Sequence, residues 1–551
     1  MAGDPEAAIV HYRAAAGRTT SIPERNYLVT RAARLASSPR CSGRSCNIDA
    51  PMPTKGHLRL ALFTGSAPLV LVALFHLARA QEPTLTLAGA TLVDAAGPRP
   101  GMTIVIRADR IDSVGPAGSV PAPPGSRVVD ANGRFLIPGL WDMHVHVALR
   151  PEEEIATGRL LALHLAHGVV GVRDMGGDPD RLAAWRAGTP GRREPAPEVL
   201  FAGPFVDGPQ DPSPAFLSVA SEPEARRAVA DLRARRVDFV KVQAKLGRRE
   251  YLALAAEAVR LGVPFAGHVP ESLSAREVVA SGQRSIEHVS PALPGDAGLL
   301  LACSESEAEL RRDLLELGRL EGLPDTPRDT VRERRRSLQR ALVETYSAAR
   351  CDELFREMAR RRVHVVPTLV WGESFLPAAS PAAATETALG HLPGAVRDRW
   401  TKGLAAYLAK ATAEDLAVNR RIAERSRALV SELKRAGVPV LAGTDSLDAF
   451  VVPGQALHRE LEALVAAGFS PLEALGAATA APAAFRGRPE QEGRIARGAA
   501  ADLVLLDADP LADIRNVGRI HAVVRAGRLL DRADLDALLA GRSLDSPNDA
   551  R

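Results

Sequence analysis

Between residues 136 and 445 the chain alternates short apolar runs with longer stretches that carry apolar residues on a helical period. This alternation predicts parallel strands joined by helices, and eight such strands are the number that closes a (β/α)8 barrel. The eight strands are predicted at residues 136–146, 169–174, 199–206, 239–243, 264–269, 285–289, 364–370 and 438–445. The predicted fold class is therefore α/β, with a TIM barrel as the main domain.

The two ends of the chain predict a second, smaller domain. Short runs with period-2 alternation, separated by turn residues, occupy residues 84–129 and return at 502–526. We therefore expect a small β-sandwich domain built from both chain ends. The expected bounds are 81–137 and 486–545 for the sandwich, 138–485 for the barrel, and about 297–361 for a helical insertion in the barrel.

An apolar run at residues 60–77 follows the basic residues Lys55 and Arg59 and ends on the small-x-small sequence Ala78-Arg79-Ala80. This order of a basic, an apolar and a cleavable segment is typical of a secretory signal peptide. It predicts a periplasmic or secreted protein whose mature chain begins near Gln81.

A leader of ordinary length would begin at Met52, whereas the chain starts 51 residues earlier. We therefore interpret residues 1–51 as the product of a start codon assigned too early, and residues 52–80 as the signal peptide. The alternative is an uncleaved membrane anchor at 58–79, because the apolar run is nearly long enough to span a bilayer. If the signal is cleaved, no stable membrane span is expected.

The formal net charge of +4 does not indicate a nucleic-acid-binding protein. Residues 1–80 hold 10 of the 70 basic residues and 4 of the 66 acidic residues, so the rest of the chain is close to neutral. Its sequence has no basic stripe interleaved with aromatic residues, which a nucleic-acid binder would use. We expect a small-molecule or short-peptide substrate, and a homo-oligomer remains possible.

Two histidines, His144 and His146, stand two residues apart at the end of the first predicted strand. Side chains at positions i and i+2 of a strand point to the same side, so both imidazoles project from one face. Two neutral imidazoles side by side suit a zinc-type cation. The pair alone also fits an ordinary strand in which one ring packs and the other is solvated.

Polar side chains also end other predicted strands of the barrel. In barrels of this kind, chemistry gathers at the carboxyl ends of the strands. These side chains are Lys241 in the fourth strand, His268 in the fifth, His288 in the sixth and Asp445 in the eighth. Taken singly, the histidines could be core residues bonded to backbone, and the lysine could extend to solvent. Together with the first pair they place four of the chain's 13 histidines on one rim, which indicates a metal site.

Five motifs follow one another along these strands: Pro-Gly-Leu-Trp-Asp-Met-His-Val-His, Val-Lys-Val, Gly-His-Val, Ser-Ile-Glu-His and Gly-Thr-Asp. As an ordered set, in a match over residues 84–545, they resemble the amidohydrolase superfamily, in the branch of imidazolonepropionase-like enzymes and prolidase-like Xaa-Pro dipeptidases. The resemblance implies two divalent metal ions, with zinc the expected identity. It implies that one ion is held by His144, His146 and Asp445, the other by His268 and His288, and that Lys241 bridges them as a carbamate formed with carbon dioxide.

Lys241 has a physical reason to react as a neutral amine. It lies between Val240 and Val242 in a predicted buried strand, where burial disfavours the charged form and lowers the pKa of the amine. A neutral amine can take up carbon dioxide, and two divalent cations would stabilise the resulting anion. The resemblance implies a single metal ion in relatives that lack this lysine, so Lys241 favours the binuclear version.

The resemblance and the ligand set together predict an exported, metal-dependent hydrolase of carbon–nitrogen bonds. A metal-bridging hydroxide is expected to attack the substrate carbonyl, while Asp445 accepts its proton and passes it to the leaving amine. A dipeptide or an N-acyl amino acid is the favoured substrate. Open alternatives are a cyclic-amide (imidazolonepropionase-like), lactone or phosphotriester hydrolase and, from another class, a non-catalytic metal-binding barrel.

The predicted substrate contacts are Arg173 and Gln243. Arg173 ends the second strand and could hold a substrate carboxylate, with an ion pair between barrel loops as the equal alternative. Gln243 stands near the position where many dipeptidases of this type have a tyrosine, which weakens the prediction of peptidase activity. Asp142 and Glu287 are each close in sequence to an expected ligand histidine, and we expect both in structural roles. Alternation predicts that the Glu287 side chain lies on the opposite side of its strand from His288.

The cysteines add one open question. Cys41 and Cys46 fall in the expected leader, which leaves Cys303 and Cys351 in the mature chain. The sequence does not show whether these two pair, and two separate thiols is the favoured interpretation.

Overall fold

The computed structural model of the chain describes residues 84–188, 195–209, 215–289, 298–321, 326–374, 386–542 and 544. These residues belong to one unit, Pro83–Arg551. The leader and signal peptide expected at 1–80 lie outside the described residues. Among the helices that are described, none combines the length and the apolar character needed to cross a membrane.

The secondary structure alternates in the order that the sequence predicts. The strands are β1 Thr84–Asp94, β2 Gly97–Arg107, β3 Arg110–Pro116, β4 Arg127–Asp130, β5 Phe135–Pro138, β6 Leu140–Val145, β7 Val169–Asp174, β8 Glu198–Phe201, β9 Phe205–Asp207, β10 Phe216–Ser218, β11 Val240–Val242, β12 Phe265–Gly267, β13 Ser285–Glu287, β14 His364–Val366, β15 Leu503–Leu506, β16 Ile520–Arg525 and β17 Arg528–Leu530.

The helices lie mainly between the central strands. They are α1 Thr157–Ala166, α2 Pro179–Gly188, α3 Glu222–Ala234, α4 Arg248–Leu261, α5 Ala275–Ala280, α6 Gly298–Ala302, α7 Glu307–Glu321, α8 Arg328–Glu344, α9 Ala348–Arg361, α10 Leu369–Ser374, α11 Glu386–Gly390, α12 Gly394–Leu408, α13 Ala413–Arg435, α14 Gln455–Ala466, α15 Pro471–Ala478, α16 Ala480–Phe485 and α17 Arg532–Leu539, with a 3-10 helix at Ile514–Gly518. Helix α3 is typical, because it buries apolar residues three and four apart and exposes charged ones.

Both chain ends contribute strands to one eight-stranded sheet, in the order β17-β16-β15-β5-β1-β2-β3, with β4 paired to β1. The two ends meet where β15 pairs antiparallel with β5, with Leu505 opposite Leu136. All eight strands belong to a single sheet, so the predicted sandwich of two sheets is not confirmed. Gly139 joins this sheet to β6, and a Cβ atom there would lie 2.5 Å from the Val170 side chain, which explains the glycine.

The central strands form a TIM-barrel-like α/β arrangement of parallel strands. Strands β6, β7 and β8 pair as one sheet, and β10-β9-β11-β12-β13-β14 as another. Isolated bridges from Val365 to Val440 and from Val145 to Ser446 carry the pairing back to β6. The predicted eighth strand, 438–445, is not a regular strand: Val440 makes an isolated bridge to Val365, and Leu441, Thr444 and Asp445 donate backbone hydrogen bonds to Val365 and His144. The described residues do not form one continuous closed barrel sheet.

The predicted and observed strands differ mainly where the chain bends. Residues 169–174 form a strand as predicted, whereas 136–146 and 199–206 are each divided between two shorter strands. The predicted strand at 364–370 ends at Val366, because Thr368 has a φ of 48° and α10 begins directly after it. The segment expected to be a helical insertion contains α6, α7, α8 and α9.

Cys303 and Cys351 form a disulfide in this helical segment, with their Cα atoms 4.9 Å apart. Both residues are fully buried. The interpretation of the two cysteines as separate thiols is therefore wrong. A separation of 48 residues carries no information about pairing, which depends on how α9 packs against the end of α6.

We expect Cys303→Ser with Cys351→Ser to lower the free energy of unfolding by about 2–4 kcal/mol, because the bond restricts a long loop of the unfolded chain. The measurement is denaturant unfolding of variant and parent, both carrying Cys41→Ser and Cys46→Ser so that no other thiol exchanges. Reduction of the parent should reproduce the shift. Equal unfolding midpoints for variant and oxidised parent would contradict the prediction.

Candidate metal centre

The end of β6 pairs with the segment that carries Asp445. The backbone N–H groups of Thr444 and Asp445 donate to the His144 carbonyl at 3.2 and 2.7 Å. Asp142 reinforces the pairing by accepting from the Thr444 backbone N–H at 3.1 Å and from the Thr444 hydroxyl at 2.7 Å. The position of Asp445 relative to His144 is therefore fixed by backbone contacts.

Three imidazoles turn their Nε2 atoms toward the Asp445 carboxylate. The Nε2 atoms of His146 and His144 lie 3.0 and 3.4 Å from Asp445 Oδ1, and the Nε2 atom of His288 lies 3.9 Å from Oδ2. One ligand atom each from His144, His146 and Asp445 fall within 4.8 Å of one another. This spacing of nitrogen and oxygen donors suits a divalent metal ion.

The other nitrogen of each ring is held by a partner away from this cluster. Nδ1 of His146 is 2.9 Å from the Gly176 carbonyl, which can only accept, so this ring atom carries the proton. Nδ1 of His144 is 3.0 Å from the Glu287 carboxylate, and Nδ1 of His288 is 2.7 Å from the Thr368 hydroxyl. Such partners fix the tautomer and orientation of a metal-binding histidine, so that Nε2 presents its lone pair to the centre.

The charge states of the cluster also suit metal binding. Burial disfavours charge on Asp445, yet the nearby His144 and His146 hold its pKa well below the usual range. Burial lowers the pKa of His144 well below that of a free imidazole. Burial also acts to lower the pKa of His146, but the hydrogen bond and charge of Asp445, the charge of Asp174 and the hydrogen bond to Gly176 together outweigh it and raise that pKa. The carboxylate is thus ionised and His144 neutral at physiological pH.

All six predicted metal ligands line one cavity of about 200 Å³. Lys241 on β11 is 1% exposed, and the rings of His268 and His288 lie 4.9 Å apart between their centroids. The structure therefore brings Lys241 and His268 to the same cavity as the His-His-Asp cluster. The remaining lining residues are Leu149, Arg150, Phe205, Gln243, Trp371, Leu447 and Asp448.

Glu287 contacts His144, one of the predicted metal ligands, and the sequence did not predict this contact. Strict alternation along β13 would turn its side chain away from His288, but His288 has a φ of 65° and departs from strand geometry. Both side chains consequently meet His144, Glu287 by its hydrogen bond and His288 with ring centroids 4.7 Å apart. The sequence does contain a signal for this contact: Glu287 is an acid in an apolar strand, and another predicted strand of the barrel contains Arg173, a basic partner for it.

Arg173 does not reach the cavity. Its Nη2 donates to both oxygens of Glu287 at 2.9 Å, its Nε to the Met143 carbonyl at 2.7 Å and its Nη1 to the Ser285 hydroxyl at 3.0 Å. It is 1% exposed. The structure thus agrees with the alternative interpretation of Arg173 as a member of an ion pair, although its partners lie on strands rather than on loops. Arg173 cannot reach a substrate carboxylate in the cavity of the candidate metal centre.

Gln243 lines the cavity as predicted, and a second basic residue, Arg150, lines it as well. Arg150 follows β6 by five residues and was not singled out in the sequence. Its Nε is buried with no hydrogen-bond partner, and its guanidinium makes no ion pair within the described part of the chain. Oε1 of Gln243 is likewise buried and has no partner among the described residues.

Comparison with a family of known proteins supports the resemblance. Residues 388–530 match the Amidohydrolase family. The structure is similar to a putative prolidase from Bifidobacterium longum, with a TM-score of 0.56 and 25% identity, covering 83% of this chain and 98% of that one.

Curated relatives match over short segments only. An imidazolonepropionase of Myxococcus xanthus is 44% identical over 62 residues, which are 11% of this chain and 15% of the relative. An adenine deaminase of Ruegeria pomeroyi is 38% identical over 86 residues, 15% of this chain and 13% of the relative. The match thus spans well under a fifth of the length of either relative.

We expect Glu287→Gln to weaken zinc binding by about 10- to 100-fold, because an amide is a poorer acceptor than a carboxylate for the His144 Nδ1–H. The measurement is chelator competition on the metal-free protein, with Glu309→Gln on the exposed face of α7 as the matched control. Unfolding of both variants without metal would separate loss of affinity from loss of fold. Unchanged zinc affinity in a folded Glu287→Gln variant would contradict the role of Glu287.

Proposed function

We propose that this chain, which carries an Amidohydrolase family domain, is a metal-dependent hydrolase of carbon–nitrogen bonds. The observation that carries the proposal is the convergence of three imidazole Nε2 atoms on Asp445, with each Nδ1 held elsewhere. Neutral imidazoles and an ionised carboxylate are the donor set that a zinc-type ion takes up. A merely structural cluster of buried histidines would have no need for this common orientation.

We assign His144, His146 and Asp445 to one metal ion and His268 and His288 to a second, and Lys241, as a carbamate, would be a ligand of both. Zinc is the expected ion. When bound, two such ions lower the pKa of water towards neutrality and polarise a carbonyl oxygen. The near-complete burial of Lys241 between two valines supports the carbamate, because it favours the neutral amine.

Asp445 is the proposed proton carrier. As an ionised carboxylate in the candidate metal centre, it could take a proton from the attacking water. Asp445 then passes the same proton to the leaving nitrogen, so that this group departs as a neutral amine rather than as an anion. Oδ2 is the proposed acceptor, because Oδ1 lies closer to His144 and His146.

The favoured substrate is a dipeptide or an N-acyl amino acid. Arg150 offers a guanidinium without an ion-pair partner in the described residues, and a substrate carboxylate would pair with it in bidentate fashion. Gln243 presents an amide that could bond the substrate's own amide group. A cavity of about 200 Å³ favours a small substrate over a long peptide.

A cyclic amide is the second candidate substrate. The 44% identity to a segment of an imidazolonepropionase favours it, and the same cavity would take a small ring. Export remains part of the proposal, and the buried Cys303–Cys351 disulfide supports it, because such bonds persist mainly in oxidising compartments.

We expect protein expressed from Met52 to contain about two zinc-like ions per chain, and Lys241→Ala to contain one or none, because the carbamate would be lost. Elemental analysis after removal of loosely bound metal is the measurement. Lys402→Ala, on the exposed side of α12, should keep the parent's metal content. One ion in both parent and Lys241→Ala would instead favour a mononuclear centre.

We expect Arg150→Gln to raise the KM for dipeptides and N-acyl amino acids by about tenfold or more, because the ion pair to the substrate carboxylate is lost. Carboxamide versions of the same substrates should be cleaved equally by parent and variant. A panel of both substrate forms, with the cyclic amide imidazolonepropionate alongside, is the measurement. Equal KM for both forms in the parent would exclude recognition of a carboxylate by Arg150.

A further inference from the structure

A second cavity, of about 240 Å³, lies at the opposite ends of the barrel strands. Its lining includes Phe239, Pro264 and Arg284, which stand at or just before the amino ends of β11, β12 and β13. The candidate metal centre is formed by residues at the carboxyl ends of the same strands. This cavity is therefore separate from the proposed active site, and the proposed function leaves it unused.

Four arginines line this second cavity, and three of them already have carboxylate partners. Arg486 and Arg488 pair with Glu198 and Glu492. Arg173 pairs with Glu287, as described above. The acid in the cavity wall, Asp238, pairs with Arg186, which does not line the cavity. Each of these acids therefore pairs with an arginine other than Arg284.

Arg284 has no carboxylate within ion-pair distance among the described residues. Its Nη2 donates to the Phe485 carbonyl at 2.6 Å, which leaves most of its five N–H donors for another partner. Its guanidinium carbon lies 4.5 Å from the centre of the Phe485 ring, and that of Arg173 lies 5.3 Å from the same ring. Two guanidinium groups thus lie near one ring, and only that of Arg173 has a carboxylate partner among the described residues.

The neighbours of this pair respond to its positive charge. Burial, Arg284 and Arg173 lower the pKa of His364, whose ring contacts Phe485 at 4.9 Å, to about 4. Burial and Arg173 also lower the pKa of Arg284 itself. An anion placed beside Arg284 would offset this repulsion, and a planar guanidinium suits carboxylate and phosphate-type oxygens.

We propose that the second cavity binds a small oxyanion, held mainly by Arg284 with Arg173 beside it. Carboxylates and inorganic oxyanions share the chemistry that this site recognises. The cavity has room for such an ion together with a few waters, each of which occupies about 30 Å³ in the liquid.

The anion site is linked to the metal centre by two buried contacts. Arg173 donates to Glu287, and Glu287 accepts from Nδ1 of His144. An anion beside Arg173 would partly neutralise the positive charge that Glu287 experiences. The Glu287 carboxylate would then be a stronger hydrogen-bond acceptor for His144. We expect this to tighten metal binding at His144, and linkage requires metal to tighten anion binding by the same factor.

The test is titration calorimetry of the metal-free chain with sulfate and with acetate, at ionic strength balanced with chloride. We expect saturable binding of at least one, and the two arms distinguish an inorganic oxyanion from a carboxylate. Arg284→Gln should weaken this binding about tenfold or more, whereas Arg249→Gln, an exposed arginine on α4, should leave it unchanged. Arg284→Lys keeps the positive charge but lacks the planar guanidinium group, so its anion affinity should lie between those of the parent and Arg284→Gln.

Absence of saturable binding of both anions by the parent chain would overturn the proposal, as would equal binding by a folded Arg284→Gln variant. The link is tested by zinc affinity with and without the bound anion. We expect about a threefold tightening in the parent and none in Arg284→Gln. Anion binding with no change in zinc affinity would refute the link. Anion binding is measured by calorimetry without any hydrolytic reaction. A failure of the proposed hydrolase function would therefore leave the result of this test unchanged.

Discussion

One buried carboxylate holds three of the central strands and one histidine of the candidate metal centre in a single arrangement. Glu287 on β13 accepts from Arg173 on β7 and from the Nδ1 of His144 on β6. Interior charges persist only when they are paired and hydrogen-bonded, and removing one partner of such a pair typically costs about 3–5 kcal/mol. The orientation of His144 toward Asp445 therefore depends on the same contact that joins the strands.

The arrangement requires the strands to end irregularly. His288, Thr368 and Asp445 adopt φ values of 65°, 48° and 62°, a region that costs a non-glycine residue roughly 1–3 kcal/mol. Tertiary bonds hold two of them there: His288 N donates to the Val366 carbonyl at 2.8 Å, and Asp445 N donates to the His144 carbonyl at 2.7 Å. Because alternation stops at these points, the sequence neighbours Glu287 and His288 can both face His144.

The sequence could predict the strands and their polar ends, since hydrophobic period and residue type carry that information directly. It could not predict the direction of Glu287, because the expectation rested on unbroken alternation. The sequence does not distinguish an arginine at the cavity from a buried one. It therefore predicts that Arg173 binds a substrate carboxylate, whereas in the structure it is Arg150 that lines the cavity. Pairing of Cys303 with Cys351 depends on tertiary packing between distant helices. The terminal strands were recognised, but whether they form one sheet or two depends on pairing that local sequence does not encode.

The positions of these two arginines have different physical consequences. A charge that binds Arg150 sits in the cavity of the candidate metal centre and acts on whatever occupies that cavity. A charge that binds beside Arg173 acts across Glu287 on His144, through contacts that are almost fully buried. Electrostatic interactions weaken less with distance where water is excluded, so this second effect survives a separation that solvent would otherwise screen. The proposed link therefore runs through the buried contacts of the central strands, from an anion beside Arg173 at one end to the orientation of His144 at the other.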